Sequence, residues 1–314
     1  MNRRFNYNDI NLIPRYSVVN SRSECDTSIK LGEHTFRNPV IPANMESVIN
    51  EKIAIELAKQ KFFYVMHRFN FDNMEFVGYM NNNGLVSSIS IGVNIPDYNL
   101  VDSLVKANLI PDYITIDIAH GHCKKMKKML KYIKDNLSNS FVIAGNVSTT
   151  DATVDLDKWG ADAIKVGIGP GSACTTYPTT GFGSRNIQAS VVNMCASVTK
   201  KHIIADGGIQ EPADITKSLV LGASMVMVGG MLSSFTDSPG KVVEKDDKLY
   251  KEFYGSASSK QSNKSNRIEG TVKLNRLKNS TLVEYLDYLT ECLQSAISYG
   301  GGKALTDLSA VQWI

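Results

Sequence analysis

The chain contains no run of eighteen apolar residues, which excludes a membrane-spanning helix. Its first residues, Met1 to Asp9, are polar and lack the apolar stretch of a secretory leader. No two of its five cysteines (Cys25, Cys123, Cys174, Cys195 and Cys292) are spaced as C-x-x-C, and the count is odd. That pattern supplies neither a disulfide framework nor a zinc site, and it fits a reducing, cytoplasmic compartment. One-sided charge is missing too. The 34 basic and 31 acidic side chains leave a formal +3, so no surface argues for nucleic acid or an anionic membrane as partner. The run Lys124, Lys125, Lys127, Lys128 and Lys131 has helical spacing and reads as a solvated helix face. What is plentiful is core material: of 314 residues, 43% are hydrophobic and 21% charged, the balance of a soluble globular chain.

Eight short apolar runs follow one another: 40–45, 62–66, 86–91, 113–117, 141–144, 163–166, 202–205 and 224–228. Their near-continuous apolarity suits strands buried on both faces of a parallel sheet. The first is the most constrained, because Pro42 cannot donate to a ladder and shortens or bulges the strand. Helical periodicity fills the intervals, as in Met126, Met129, Leu130 and Ile133. Capping residues precede several of these stretches: Asp97 before the third helix, Ser148-Thr149-Thr150-Asp151 before the fifth. Eight strands alternating with helices predict an α/β fold, a single (β/α)8 TIM barrel spanning 1–314. One interval is outsized: 39 residues separate the sixth and seventh strand starts, against 22 to 28 elsewhere. Sites in such barrels are built from loops at the carboxyl ends of strands, so the loop after strand six is a candidate catalytic loop. After strand eight, the polar stretch 232–279 reads as a mobile flap or a disordered loop. Leu282 to Ile297 then reads as a closing helix.

The enlarged loop is Gly167-Ile-Gly-Pro-Gly-Ser-Ala-Cys174-Thr-Thr176. Its glycines allow tight turns and close approach to a ligand. Cys174 sits among polar residues, where a thiol can be activated as a thiolate nucleophile. The other reading of a free cysteine is a small buried hydrophobe, which suits Cys195 and Cys292 better. Two glycine pairs end strands seven and eight, Gly207-Gly208 after Asp206, and Gly229-Gly230. Glycine pairs there free backbone N–H groups for an anion, and a phosphate site after strands seven and eight recurs in this fold. Asp206 can accept hydrogen bonds from ribose hydroxyls. No G-x-G-x-x-G turn occurs, so a Rossmann domain is not indicated.

The cysteine loop, Ile204-Ala-Asp-Gly-Gly-Ile209, Val226-Met-Val-Gly-Gly230, Tyr254-Gly-Ser-Ala-Ser258, Pro42-Ala-Asn-Met-Glu-Ser-Val48 and Ser298-Tyr-Gly-Gly-Gly-Lys303 together resemble the IMP dehydrogenase/GMP reductase family. The resemblance runs from Tyr7 to Lys303. Two features point to its reducing branch. Oxidising members usually carry a regulatory CBS pair after the second strand, whereas here Met66-His67-Arg68 leads through one short helix to Val86. Glu269 also stands in Arg267-Ile-Glu-Gly-Thr271 where oxidising members have Gln, and no Arg-Tyr pair lies between Gly229 and Glu269.

The resemblance implies reductive deamination of GMP to IMP in purine salvage, with loss of ammonia through a thioimidate on Cys174, and with Thr176 and Glu269 moving protons. It implies a nucleotide held by Asp206, Gly207, Gly208, Gly229, Gly230, Gly255, Ser256, Arg267 and Gly270. NADPH would lie against Asp117 and Ala119 near Arg68, with Ser21, Arg22, Ser298 and Tyr299 coming from a neighbouring subunit of a homotetramer. Backbone carbonyls of Gly169, Gly171 and Cys174 would take K+, although Tyr177 stands where a basic residue is common. Three other readings stay open: an IMP dehydrogenase without the insert, a flavin-dependent phosphate-binding barrel, and a catalytically inactive purine-nucleotide-binding protein.

Overall fold

The computed structural model describes residues 4–255, 258 and 269–314. Seven parallel strands form the main sheet: β3 (Val40–Pro42), β4 (Ser88–Ile91), β5 (Tyr113–Asp117), β6 (Phe141–Val147), β7 (Ala163–Val166), β8 (His202–Asp206) and β9 (Met225–Val228). Their spatial order is β3-β9-β8-β7-β6-β5-β4. The register runs Ile41 opposite Met227, Ala205 opposite Val226, Lys165 opposite Ile204 and Thr115 opposite Ile143. From β4 to β9 sequential strands are spatial neighbours, and β3 pairs with β9 as the closing of an α/β barrel requires, leaving a gap between β3 and β4.

The run 62–66 does not join this sheet as a ladder strand, contrary to the sequence reading. It is nonetheless fully buried and extends past the edge of β4. Met66 N–H donates to Ser88 O at 3.1 Å, and Ser90 Oγ donates to Met66 O at 2.6 Å. The Tyr64 hydroxyl donates to Val86 O at 2.7 Å, and Arg37 N–H reaches Lys61 O at 2.9 Å. Hydroxyl side chains thus take over bonds that a ladder would make, and the fold remains a (β/α)8 barrel with one irregular stave.

A hairpin of β1 (Ile29–Leu31) and β2 (His34–Phe36) closes the amino-terminal end of the barrel. Leu31 and Phe36 pack on Phe63, Tyr113, Ile143 and Met225 inside it, and the Tyr113 hydroxyl donates to Leu31 O at 2.6 Å. Each such side chain contributes about 2 kcal/mol by leaving water, and the plug leaves the carboxyl-terminal end as the open one. Helices α1 (Glu51–Lys59), α2 (Asn73–Asn82), α3 (Ile95–Lys106), α4 (Lys124–Asn136), α5 (Thr150–Lys158), α6 (Thr176–Thr180), α7 (Gln188–Ala196), α8 (Pro212–Val220) and α9 (Leu282–Tyr299) complete the chain. Met126, Met129, Leu130 and Ile133 of α4 face the core and its lysines face outward. Thr149 caps α5, accepting from Ala152 N. Asp97 does not precede α3 but is its third residue. Asn94 is the cap, and the Asp97 carboxylate reaches back to Asn94 N–H at 2.8 Å.

Among its described residues, the stretch after β9 holds regular structure that its polarity does not announce. Three antiparallel strands, β10 (Val242–Lys245), β11 (Lys248–Tyr254) and β12 (Val272–Arg276), make a small sheet. Asp246 and Asp247, both with φ near +54° (53° and 54°), form the two-residue turn between β10 and β11, a conformation that Asp tolerates better than most residues. Phe253 of β11 points inward and anchors the sheet to the barrel.

Candidate active site

The open end of the barrel holds a cleft of about 1140 Å³. Strand ends β5, β7, β8 and β9 form its floor, the loop after β7 one wall, and β11 and β12 another. The volume is at the upper edge of what one small ligand fills, and it leaves room for more than a mononucleotide.

The loop after β7 is shaped by Gly167. Its φ is +148°, and a Cβ there would fall 2.0 Å from Asp206 O, so only glycine lets this loop leave the barrel beside β8. The loop then turns back through Cys174, whose N–H donates to Gly171 O at 3.0 Å. Cys174 is half-buried. Its thiol Sγ donates to Thr176 Oγ1 at 3.2 Å, and Thr176 Oγ1 donates to Glu269 Oε2 at 2.6 Å. The relay thus runs thiol to hydroxyl to carboxylate, with every donor pointing toward the group able to accept a proton.

Glu269 arrives from far along the chain. Its carbonyl accepts Thr175 N–H at 3.1 Å, Thr271 N–H donates to Ala173 O at 2.9 Å, and Gly270 bridges both Cys174 and Ser258. These main-chain bonds align the two segments as a short antiparallel pair, so the relay is held by backbone as well as side chains.

The floor carries a second polar group. Lys165, on β7, is almost wholly buried and lies 2.9 Å from Asp117 Oδ1 on β5 and 2.5 Å from Asp206 Oδ2 on β8. Asn146 Nδ2 also donates to Asp206 Oδ2 at 2.8 Å and to Gly167 O. Burial works to raise the Asp117 carboxyl, but the Lys165 ammonium, Arg68 and a hydrogen bond from Asn44 outweigh it and hold it below the usual carboxylate range. Burial likewise works to neutralise Lys165, and the two carboxylates reverse that, pushing it well above an ordinary lysine.

Of the residues singled out from the sequence, the cleft brings together Cys174, Thr176, Glu269, Asp206, Gly207, Gly208, Gly229, Gly230, Gly255, Asp117, Ala119, Arg68, Gly169 and Gly171. Gly270 joins through its bridge to Cys174. Gly207 and Gly208 both sit at positive φ (+83° and +81°), and Gly207 N–H is already bonded to Met227 O at 3.2 Å. Ser256 and Arg267 lie outside the described residues. Ser21, Arg22, Ser298 and Tyr299 do not line the cleft of their own chain. They gather on the outer side of α9, where Arg22 lies 3.9 Å from Glu291, Ser298 Oγ lies 3.1 Å from Ser17 Oγ, and Tyr299 is 69% exposed.

The sequence reading missed Lys165, Asn146 and Gln188. A signal for the first was present: Lys165 is the one charged residue in the apolar run Ala163-Ile-Lys-Val166, and a charge in a doubly covered strand must be paired. Gln188 Nε2 binds Val166 O at 2.8 Å under the cysteine loop, which no local pattern announced.

Comparison with known proteins gives a consistent answer. The family model described as IMP dehydrogenase / GMP reductase domain matches residues 4–313. A protein named GMP reductase from Albidiferax ferrireducens is 52% identical over 310 residues, covering 99% of this chain and 95% of that one. A GMP reductase of Mesoplasma florum is 48% identical over 311 residues, 99% of this chain and 97% of the relative. One of Variovorax paradoxus is 50% identical over 310 residues, with 99% and 95% covered.

Proposed function

The chain belongs to the IMP dehydrogenase/GMP reductase family, and on that premise we propose that it reduces GMP to IMP with release of ammonia, using NADPH and a covalent adduct on Cys174. The observation that carries this reading is the relay Cys174–Thr176–Glu269 ending in a carboxylate.

The purine C2 of GMP bears an amine and is weakly electrophilic. The Cys174 proton passes through Thr176 to Glu269, and the thiolate adds to C2. Glu269 returns that proton through Thr176 to the amine nitrogen, and ammonia leaves. One thiol and one amine have become a thioimidate and ammonia with no net proton. NADPH supplies the hydride that C2 then receives. The C2–S bond breaks, IMP departs, and the Cys174 thiolate takes one proton from solvent to restore the starting thiol. A carboxylate suits this cycle because the leaving amine needs an acid; a neutral amide at 269 could not hold the proton between the two steps.

Asp206 accepts from the ribose, and Gly208, Gly229 and Gly230 approach the phosphate. Residues in the other half of the cleft suit the cofactor: Arg68 Nε is buried with no hydrogen-bond partner among the described residues, a donor left for a ligand. Ser21, Arg22, Ser298 and Tyr299 complete that half from a neighbouring subunit of a homotetramer. Among the described residues no group of three His, Cys, Asp or Glu side chains gathers to hold a metal ion. A K+ ion would instead take backbone carbonyls of Gly169, Gly171 and Cys174, neutral oxygen donors of the kind a hard cation accepts. Five free thiols, Cys123 and Cys292 half-exposed among them, suit a reducing cytoplasm.

Paired assays at 340 nm test the reading. GMP with NADPH is expected to lose absorbance as IMP and ammonia appear. A gain with IMP and NAD+ alone would make the protein the oxidising member of the family instead.

A further inference from the structure

Lys165 has no step in the chemistry above, yet it occupies the centre of the cleft floor. Its ammonium is buried between Asp117 Oδ1 at 2.9 Å and Asp206 Oδ2 at 2.5 Å. Each carboxylate thereby commits one oxygen to the lysine. Asn146 adds a second donor to the same Asp206 oxygen, so the other oxygen of Asp206 is the one offered to a ligand, while Asp117 also accepts from Asn44. The strands pack closely at this point: a Cβ on Gly145, the neighbouring position on β6, would lie 2.5 Å from Lys165 Cβ and 2.8 Å from its carbonyl oxygen.

We propose that Lys165 is a positioning residue whose single ammonium holds Asp117 and Asp206 together as ionised hydrogen-bond acceptors, so that one shared cation sets the cofactor half and the nucleotide half of the cleft at once. The proposal rests on the reading of the two halves given above. Its physical basis is that two carboxylates on adjacent parts of a barrel floor repel each other and resist burial, and a cation between them removes both penalties. The charged groups facing Asp117 are Lys165 from β7, Asp206 from β8 and Arg68 from the irregular stave, with Asn44 as a neutral donor. Without Lys165, burial dominates at Asp117 and its carboxyl takes up a proton at higher pH. A protonated Asp117 is a donor where the ligand hydroxyl needs an acceptor.

The test compares wild type with Lys165→Met and Lys165→Arg, measuring the KM for GMP, the KM for NADPH and kcat across about pH 5.5 to 8.5. Lys165→Met is expected to raise both KM values by roughly tenfold or more. Its KM for NADPH should fall again as pH rises, where wild type is flat, and Lys165→Arg should restore both KM values to within about fivefold with a flat profile. A Lys165→Met protein that loses only kcat, or only one KM, or shows no new pH dependence, would overturn the proposal. A thermal-melting cycle on Asp117→Asn and Asp206→Asn gives an independent answer if Lys165→Met does not fold. Each single variant leaves Lys165 one carboxylate and should melt within about 3 °C of wild type, whereas the double variant orphans a buried ammonium and should lose about 10 °C or fail to fold. Additive losses would overturn the shared cation. Silence of the wild type toward GMP and NADPH would instead undo the functional reading, and the melting cycle would still judge Lys165.

Discussion

The cleft has two kinds of wall, and they are built on opposite principles. Its floor is strand-borne: Asp117, Lys165 and Asp206 sit on three strands of one sheet, locked by register and by a buried ion pair. Its reactive side is loop-borne: Cys174 and Glu269 come from segments 95 positions apart and meet through a few main-chain bonds. In the proposed function, recognition, which needs fixed geometry, falls to the rigid part, and proton transfer falls where two segments must come together. The difference teaches that changes on the reactive side should alter rate with little effect on binding or folding, and changes at the floor should do the reverse.

The sharpest test of that division is Cys174→Ala. It should lower kcat by about 10⁴-fold or more while leaving GMP binding, measured by calorimetry, nearly intact. Glu269→Gln comes next, with kcat down by about 10² to 10³-fold and the KM for GMP little changed. Thr176→Val keeps the shape but removes the hydroxyl in the middle of the relay, and a loss of about 10 to 10²-fold in kcat is expected. A large rise in KM in either relay variant would break the comparison, because it would put recognition on the reactive side. At the junction between loop and floor, Gly167→Ala forces a Cβ onto Asp206 O and should cost about 3 kcal/mol in urea unfolding. The smallest effect belongs to the flap turn. Replacing Asp246-Asp247 by Asn-Gly suits the same backbone better and should add about 0.5 kcal/mol of stability with kcat unchanged.

The same contrast governs what the sequence could disclose. Strand runs were legible because burial on both faces leaves an unbroken apolar signature, and seven of the eight runs are ladder strands. The run 62–66 carries the same signature but bonds through the hydroxyls of Tyr64 and Ser90, a choice that apolarity does not encode. β10 to β12 escaped notice because most residues of β10 and β12 are exposed and lysines fall on both faces, so alternation is weak and the stretch reads as polar loop. Cys174 was visible from its glycines. Its meeting with Glu269 was not, since no local spacing relates residues so far apart, and it came from the family resemblance alone. Lys165 lay in plain view as a charge inside an apolar run, and what was missing was the question of who pairs with it.

Gly145 bears on how such a chain can drift through generations. Its absent side chain leaves the gap into which the Cβ, Cα and carbonyl of position 165 fit, so the demand for glycine at 145 comes from the spacing of two strands and not from which side chain 165 carries. A methyl gained at 145 would push β7 away from β6 and shift the floor whatever stood opposite. In a library randomised at both positions and selected for activity, survivors should therefore keep glycine at 145 while position 165 is filtered separately by the charge it carries.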